Sequence, residues 1–158
     1  SNRNVMRLTN NKTAGLQVDK GIINIAKMDV FVEKNTFAEL KNGGTYNFDD
    51  TTVYIADDSK GFDITNSTGT ISLKDSSIIT NGGALLTAFG TGTVGTFDTE
   101  RSILFGHIET DSGAVSTVSL TDSDWYMLGN SYVTNLANTH SIIDLRAGTE
   151  EVYNTLTV

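Results

Sequence analysis

A degenerate block recurs about every 23 residues along this chain: Gly44-Thr-Tyr-Asn-Phe-Asp-Asp-Thr-Thr-Val-Tyr-Ile55, Gly69-Thr-Ile-Ser-Leu-Lys-Asp-Ser-Ser-Ile-Ile-Thr80 and Gly95-Thr-Phe-Asp-Thr-Glu-Arg-Ser-Ile-Leu-Phe-Gly106. The same frame fits Gly21 to Val32, Ser116 to Met127 and, in part, Ser141 to Leu145, so block starts lie 23, 25, 26, 21 and 25 residues apart. A period of this size marks a solenoid, a propeller or another array, in which each unit buries its apolar face only against its neighbours.

Within a block the apolar residues alternate: Ile23/Ile25, Tyr46/Phe48, Ile71/Leu73, Val118/Leu120 and Ile143/Leu145. Period two means strand, with one face turned to a core. A small polar pair follows (Asp50-Thr51, Asp75-Ser76, Asp122-Ser123, with Arg101-Ser102 in the same place), and short oxygen-bearing side chains there favour a bend. A second strand comes at once (Val30-Phe31-Val32, Val53-Tyr54-Ile55, Ile78-Ile79, Leu104-Phe105, Trp125-Tyr126-Met127), and after a polar stretch a third: Phe37 to Leu40, Phe62 to Ile64, Ala84 to Leu86, His107-Ile108, Val133 to Leu136. Three short strands per period describe a triangular coil. Stacked at ~4.8 Å per layer, such coils give an all-β fold, a right-handed parallel β-helix of about six coils. A propeller blade needs four strands over about 40 residues, which the period excludes. No sustained three-to-four-residue apolar period occurs, so helix is expected nowhere except a turn at Asn4 to Thr9. The Gly/Thr-rich stretch from Gly82 to Gly95 has weak core positions and is expected to be a loop or an irregular coil. Residues 1–14 are expected to be an N-terminal cap or a cloning remnant, 15–148 the β-helix, and 149–158 the start of a further junction.

Composition narrows the function classes. The 158 residues contain no Cys, which excludes disulfides, thiolate metal sites and a Cys nucleophile. Absence of Pro beside 15 Gly suits central sheet ladders and tight turns. A formal charge of -8 argues against nucleic acid and anionic membrane surfaces as partners. No run of about 18 apolar residues encodes a membrane-spanning helix, and no basic-then-apolar leader opens the chain. The chain is therefore read as an excised piece.

The segment from Val118 through Trp125, Gly129-Asn-Ser-Tyr-Val133 and Asn135-Leu136 carries a Leu, Trp, Gly-x-Ser-x-Val and Asn-Leu spacing. It resembles the passenger C-terminus of Gram-negative autotransporters, and Ser141 to Leu145 with Tyr153 to Val158 look like the lead-in to their autochaperone region. Upstream, from about Gly15 to Ile108, the coils resemble the generic coil of pertactin-like passengers, in a style similar to Bartonella-type autotransporters. The resemblance implies a β-helix secreted to, or displayed on, the outer surface of a Gram-negative bacterium, exported through its own outer-membrane barrel.

Catalytic signatures are weak. Asp49-Asp50 and Asp57-Asp58, with Asp63, are candidates for a carboxylate cluster; glycoside hydrolysis would need two carboxyls about 5 to 9 Å apart. The plainer reading is turn residues on solvated faces. His107 and His140, the only histidines, have no partner Cys or repeating acidic spacing. Gly129-Asn-Ser-Tyr-Val lacks the last glycine of a serine-hydrolase elbow, and no calcium-loop pattern occurs. No catalytic residue, cofactor or metal site is assigned. Asn11-Lys-Thr and Asn66-Ser-Thr match the glycosylation sequon without consequence for a bacterial product.

What stands out is the second strand of each block. If Trp125 and Met127 face in, alternation places Phe31, Tyr54, Ile79, Phe105 and Tyr126 outside as one column, a candidate partner-binding stripe; the opposite register buries that column and exposes Val30, Val53, Ile78, Leu104 and Trp125. Either way one sheet is apolar on both faces. The leading expectation is a non-catalytic host-interaction module, an adhesin or secreted effector that binds a host cell-surface protein or receptor, with growth-factor-like action as a narrower form. The alternatives are a structural stalk and folding nucleus that presents another passenger domain, and a pectate-lyase-like polysaccharide-cleaving enzyme. No nucleic acid, no membrane insertion and no cofactor are expected. Unless Ser1 to Asn11 or the tail after Gly148 covers an end of the coil stack, end-to-end self-association is expected.

Overall fold

The computed structural model describes residues 3–9, 12–57, 59–146 and 152–158. Its strands are β1 (Asn4–Thr9), β2 (Ala14–Asp19), β3 (Ile22–Glu33), β4 (Asn35–Lys41), β5 (Gly44–Ile55), β6 (Ser59–Thr65), β7 (Thr68–Lys74), β8 (Ser77–Phe89), β9 (Val94–Glu100), β10 (Ile103–Thr110), β11 (Val115–Thr121), β12 (Asp124–Tyr126), β13 (Ser131–Tyr132), β14 (Asn135–Thr139), β15 (Ile142–Asp144) and β16 (Leu156–Thr157). All named pairings are parallel, each strand lying on its equivalent one coil away, and the chain is a parallel β-solenoid of about six turns, with no helix among the described residues. The first sheet stacks the first halves of β3 and β5 with β7, β9, β11 and β14. The second stacks β1, the second halves of β3 and β5, the start of β8 and β10, then β12 and β15. The third runs from β2 through β4 and β6 to the ends of β8 and β10, followed by the β13–β16 pair.

Inside, equivalent residues form axial columns: Ile23, Tyr46, Ile71, Phe97, Val118 and Leu136 in the first sheet; Val30, Val53, Ile78, Leu104, Trp125 and Ile143 in the second; Leu16, Ala38, Phe62, Leu86 and Ile108 in the third. Removing one such side chain from water contributes about 1.5–3 kcal/mol, so the stack is held by its interior. Phe62 sits centrally, with Phe37, Phe48 and Phe97 ring centroids at 5.5, 5.8 and 5.8 Å in edge-on contact. The Tyr46 hydroxyl donates to the Glu39 carbonyl at 3.2 Å; burial, with Glu39 adding to it, pushes that phenol well above its ordinary range.

The bend between the first and second sheets is built alike in every coil. Lys27, Asp50, Asp75, Arg101, Asp122 and His140 all have φ between 45° and 52°. The residue after each, from Asp50 onward, is a hydroxyl (Thr51, Ser76, Ser102, Ser123, Ser141) turned inward. It accepts the corner N–H of the preceding coil: Thr51 donates to Ser76 Oγ at 3.1 Å, Ser76 to Ser102 Oγ at 3.1 Å, Ser102 to Ser123 Oγ at 3.0 Å and Ser123 to Ser141 Oγ at 2.9 Å. The same hydroxyls donate to carbonyls two residues back, as Ser102 does to Glu100 O at 2.8 Å. The small polar pair is thus a bend, and also a hydrogen-bonded ladder along the axis.

Two expectations need correction, and a third is narrowed. Asn4–Thr9 is strand β1, paired in parallel with β3, because Met6 and Leu8 supply an inward alternation that joins the core. Of the two forms expected for the Gly/Thr-rich stretch, its first part is the irregular coil and not the loop: β8 runs unbroken to Phe89, burying Leu85, Leu86 and Ala88, and its extra residues are absorbed by register shifts opposite Phe105, His107 and Ile108. The last coil is shorter than its frame suggested. Leu136, expected in the third sheet, stacks on Val118 in the first, and Ile143, expected there, stacks on Trp125 in the second. The residues called on at Asn11, Asp58 and Gly148 lie outside the described ones. Beyond them, β16 pairs in parallel with β13 as a separate two-stranded sheet, and the Asn154 side chain donates to Met127 O at 2.9 Å.

Candidate functional site

The corner decides which way the second strand faces. In the first strand of the second repeat the inward residues are Tyr46 and Phe48; Asp49 and Asp50 then both point out, and the inward set resumes at Thr51, Val53 and Ile55. One residue is used up in the left-handed conformation, so parity switches and Tyr54 is turned outside. The same switch acts at Asp75, Arg101 and Asp122, where Ile78, Leu104 and Trp125 are fully buried at 0% exposure.

Phe31, Tyr54, Ile79, Phe105 and Tyr126 therefore stand on the outer face in direct axial register, and the structure brings all five together. The Phe31 and Tyr54 rings stack at 5.1 Å with planes 10° apart, and Phe105 and Tyr126 at 4.5 Å and 15°. Tyr54 is 42% exposed and the other four are half-buried, largely against one another. Parallel stacking at one-rung spacing contributes about 0.5–1.5 kcal/mol per aromatic pair beyond burial, so the column is a fixed surface. Beside it, Val5, Ile103 and Ile142 add exposed apolar area in a neighbouring column. A groove of about 320 Å³ runs along its other flank, lined by Glu33, Ala56, Thr80 and Asn81.

Both ends of the column carry charge that sequence reasoning missed. Arg7 lies in register with Phe31, its guanidinium 4.8 Å from the ring centroid. At the other end Asp144 follows Tyr126, and Arg146 Nε donates to Asp144 Oδ1 at 2.9 Å, holding that carboxyl down to about 2. Arg3 bridges the corner, bonding Asp29 at 3.1 Å and Asp50 at 2.9 Å. Reading Asn4 to Thr9 as a strand would have found Arg7 by extending the frame one coil.

The other titratable candidates do not converge. Asp50 and Asp75 occupy the corner column; Asp75 pairs with Arg101 at 2.7 Å, which lowers its carboxyl, while Asp57 lies at a different corner and bonds Asn81. Asp63 accepts from Thr87 at 2.7 Å on the third sheet. His107 Nε2 meets Glu109 at 2.8 Å with its Nδ1 buried and unpartnered against Gly129, and His140 sits 3.7 Å from Asp122, far along the stack. Among the described residues no three His, Cys, Asp or Glu side chains are grouped to hold a metal ion. No protein-family profile, curated protein or solved structure matches the chain.

Proposed function

We propose that this chain is the β-helix of a Gram-negative autotransporter passenger, a non-catalytic module that binds a protein on the surface of a host cell through the outer face of its second sheet. The observation that carries the reading is the column itself. Five large apolar side chains are lined up on the outside of a sheet whose inside is already apolar, an arrangement that folding alone does not require. Rigid stacked aromatics lose little conformational freedom on association, and Arg7 adds a residue type common at interface anchors. The autotransporter assignment rests on the Val118 to Leu136 motif and the solenoid that contains it, and implies export to the bacterial surface.

The test is substitution on the column with folding measured beside binding. Tyr54→Asp and Phe105→Asp each remove one stacking partner and the part of the ring that is buried, and are expected to lower stability by about 1–3 kcal/mol without unfolding the solenoid. Both variants should lose retention on host cells by flow cytometry while keeping the far-UV spectrum of the parent. Full retention by both variants would remove the second sheet as the contact face.

A further inference from the structure

Two asparagines in the chain are followed by glycine, Asn42-Gly43 and Asn81-Gly82, and both pairs are exposed. Such a pair carries its own reaction: the glycine nitrogen attacks the asparagine Cγ, since no Cβ on the glycine stands in the way. The fold treats the two pairs differently. Asn42-Gly43 is tied into the stack from both sides. The Asn42 side-chain amide donates to Asp19 Oδ1 of the coil before at 2.8 Å, its N–H to Ser67 Oγ of the coil after at 2.7 Å, and the Gly43 N–H to Thr68 O at 3.0 Å. The attacking nitrogen and the amide under attack are thus both held.

Asn81-Gly82 is the tip of a bulge in β8. Register with the coil before stops at Thr80 opposite Ile55 and resumes at Leu86 opposite Phe62; with the coil after, it stops at Ile79 opposite Phe105 and resumes at Ala84 opposite His107. Thr80 Oγ1 donates to Gly83 O at 3.1 Å and closes the base of the bulge, so Asn81 and Gly82 stand clear of both ladders. Gly82 has a φ of 100°, and a Cβ built on it would meet nothing within 4 Å. The Asn81 side-chain amide donates to the Asp57 carboxylate, while the Gly82 nitrogen has no register partner in either neighbouring coil.

We propose that Asn81 is a modification site, converted spontaneously in the folded protein to aspartate and isoaspartate, and that Asn42 is protected. The Gly82 nitrogen gives up its proton and bonds to Asn81 Cγ; the Cγ–Nδ2 bond breaks, and ammonia leaves with that proton, closing a succinimide ring. One water then opens the ring, either at Cγ to leave aspartate or at the Asn81 carbonyl carbon to leave isoaspartate, with the main chain running through the former side chain. One water is taken up and one ammonia released, and nothing is oxidised or reduced. The bulge accommodates the extra backbone carbon because its tip pairs with neither neighbouring coil. The product loses the bond to Asp57 and sets a second carboxylate beside it, so the two repel and the formal charge falls one unit below -8. Asn81 lines the groove beside Tyr54 and Ile79, with Glu33 on the same flank, so the new charge appears next to the aromatic column.

Incubation of the whole chain in mildly alkaline buffer, followed by peptide mapping with mass spectrometry that separates aspartate from isoaspartate, tests this. The Asn81 peptide should gain one mass unit, mostly as isoaspartate, about tenfold faster than the Asn42 peptide, where the Gly43 hydrogen bond must break first. In guanidinium chloride the two rates should converge, because unfolding removes the bonds that distinguish two pairs of the same local chemistry. Asn81→Gln should abolish the early mass gain and the matching acidic shift on anion exchange, at an unchanged melting temperature. Equal rates at Asn81 and Asn42 in the folded protein, a faster Asn42, or no isoaspartate at Asn81 would each overturn the proposal. None of these readouts depends on the second sheet being a contact face.

Discussion

At the scale of the residue, most of this molecule's order is set by the pair at each corner. An L-residue held at φ near 50° is strained unless its surroundings favour it, and short polar side chains such as Asp are among those that tolerate the conformation best. Here Asp50, Asp75 and Asp122 take it, and where Arg101 does, its guanidinium is held by Asp75 one coil away. The hydroxyl that follows has two jobs in a space too small for a longer side chain: it accepts an N–H from the coil before and donates to a carbonyl of its own strand. Ser102 is 2% exposed, so its replacement by Ala leaves the Ser76 N–H buried without an acceptor. Ser102→Ala should lower stability by about 1–3 kcal/mol, and Ser102→Thr, the residue type used at Thr51, should recover most of it. Denaturant midpoints at equal slope provide the check; an unchanged midpoint for Ser102→Ala would mean that the ladder follows the bend without holding it.

At the scale of the element, backbone proximity does the work that side chains do elsewhere. A Cβ on Gly61 would lie 2.3 Å from the Leu85 carbonyl oxygen, and one on Gly83 2.6 Å from that of Ser59, so β6 and β8 meet where only hydrogen fits. Gly21 opens the first repeat with nothing nearer than 3.9 Å. Gly61→Ala should therefore destabilise by about 1–3 kcal/mol or more, whereas Gly21→Ala should stay within about 0.5 kcal/mol, compared by thermal melts. These glycines explain why the stretch after Gly82 misleads a reader of the sequence: its apparent lack of core residues is a close backbone approach, and β8 continues through it. The period and the three-strand coil were legible because alternation is local. The direction of the second strand was legible only with a fixed point, Trp125, since strict alternation from Tyr46 and Phe48 would carry Tyr54 inside, and it is the one-residue offset at Asp50 that turns it out. The short final coil was not legible. Nothing local says that Leu136 stacks on Val118 after 18 residues where earlier coils took 21 or more; that choice follows from Ser141 completing the hydroxyl ladder over Ser123. Arg7 escaped for a related reason, its place over Phe31 being set by the register of two rungs at once.

At the scale of the whole molecule, stability is close to a sum over rungs and the interfaces between them. Interior coils are held on two sides, and the outermost on one. Among the described residues β1 and β2 at one end, and β14 and β15 at the other, pair with a single neighbouring strand. The inward residues there, Met6, Leu8 and Leu16, and Leu136, Ile143 and Leu145, are only partly buried. Opening should therefore start from the ends, with amides of β5, β7 and β9 exchanging slowest and those of β1 and β15 fastest. Acid should sharpen the gradient at one end. Arg146 depresses the Asp144 carboxyl to about 2, so this pair favours the folded rung above the ordinary carboxylate range near ~3.9, and that contribution is lost as pH falls from there toward about 2. The Asp75 carboxyl is lowered by Arg101 in the same sense, but its rung has a neighbour on either side, and losing the pair there does not free a strand. Lowering the pH from 5 to 2 should thus broaden or shift the amide resonances of β15 before those of β8, and Asp144→Asn should show the loosened β15 already at pH 5. Simultaneous loss of β8 and β15 signals in the parent protein would instead mean that the coils open as one cooperative unit and that the end rung has no separate stability.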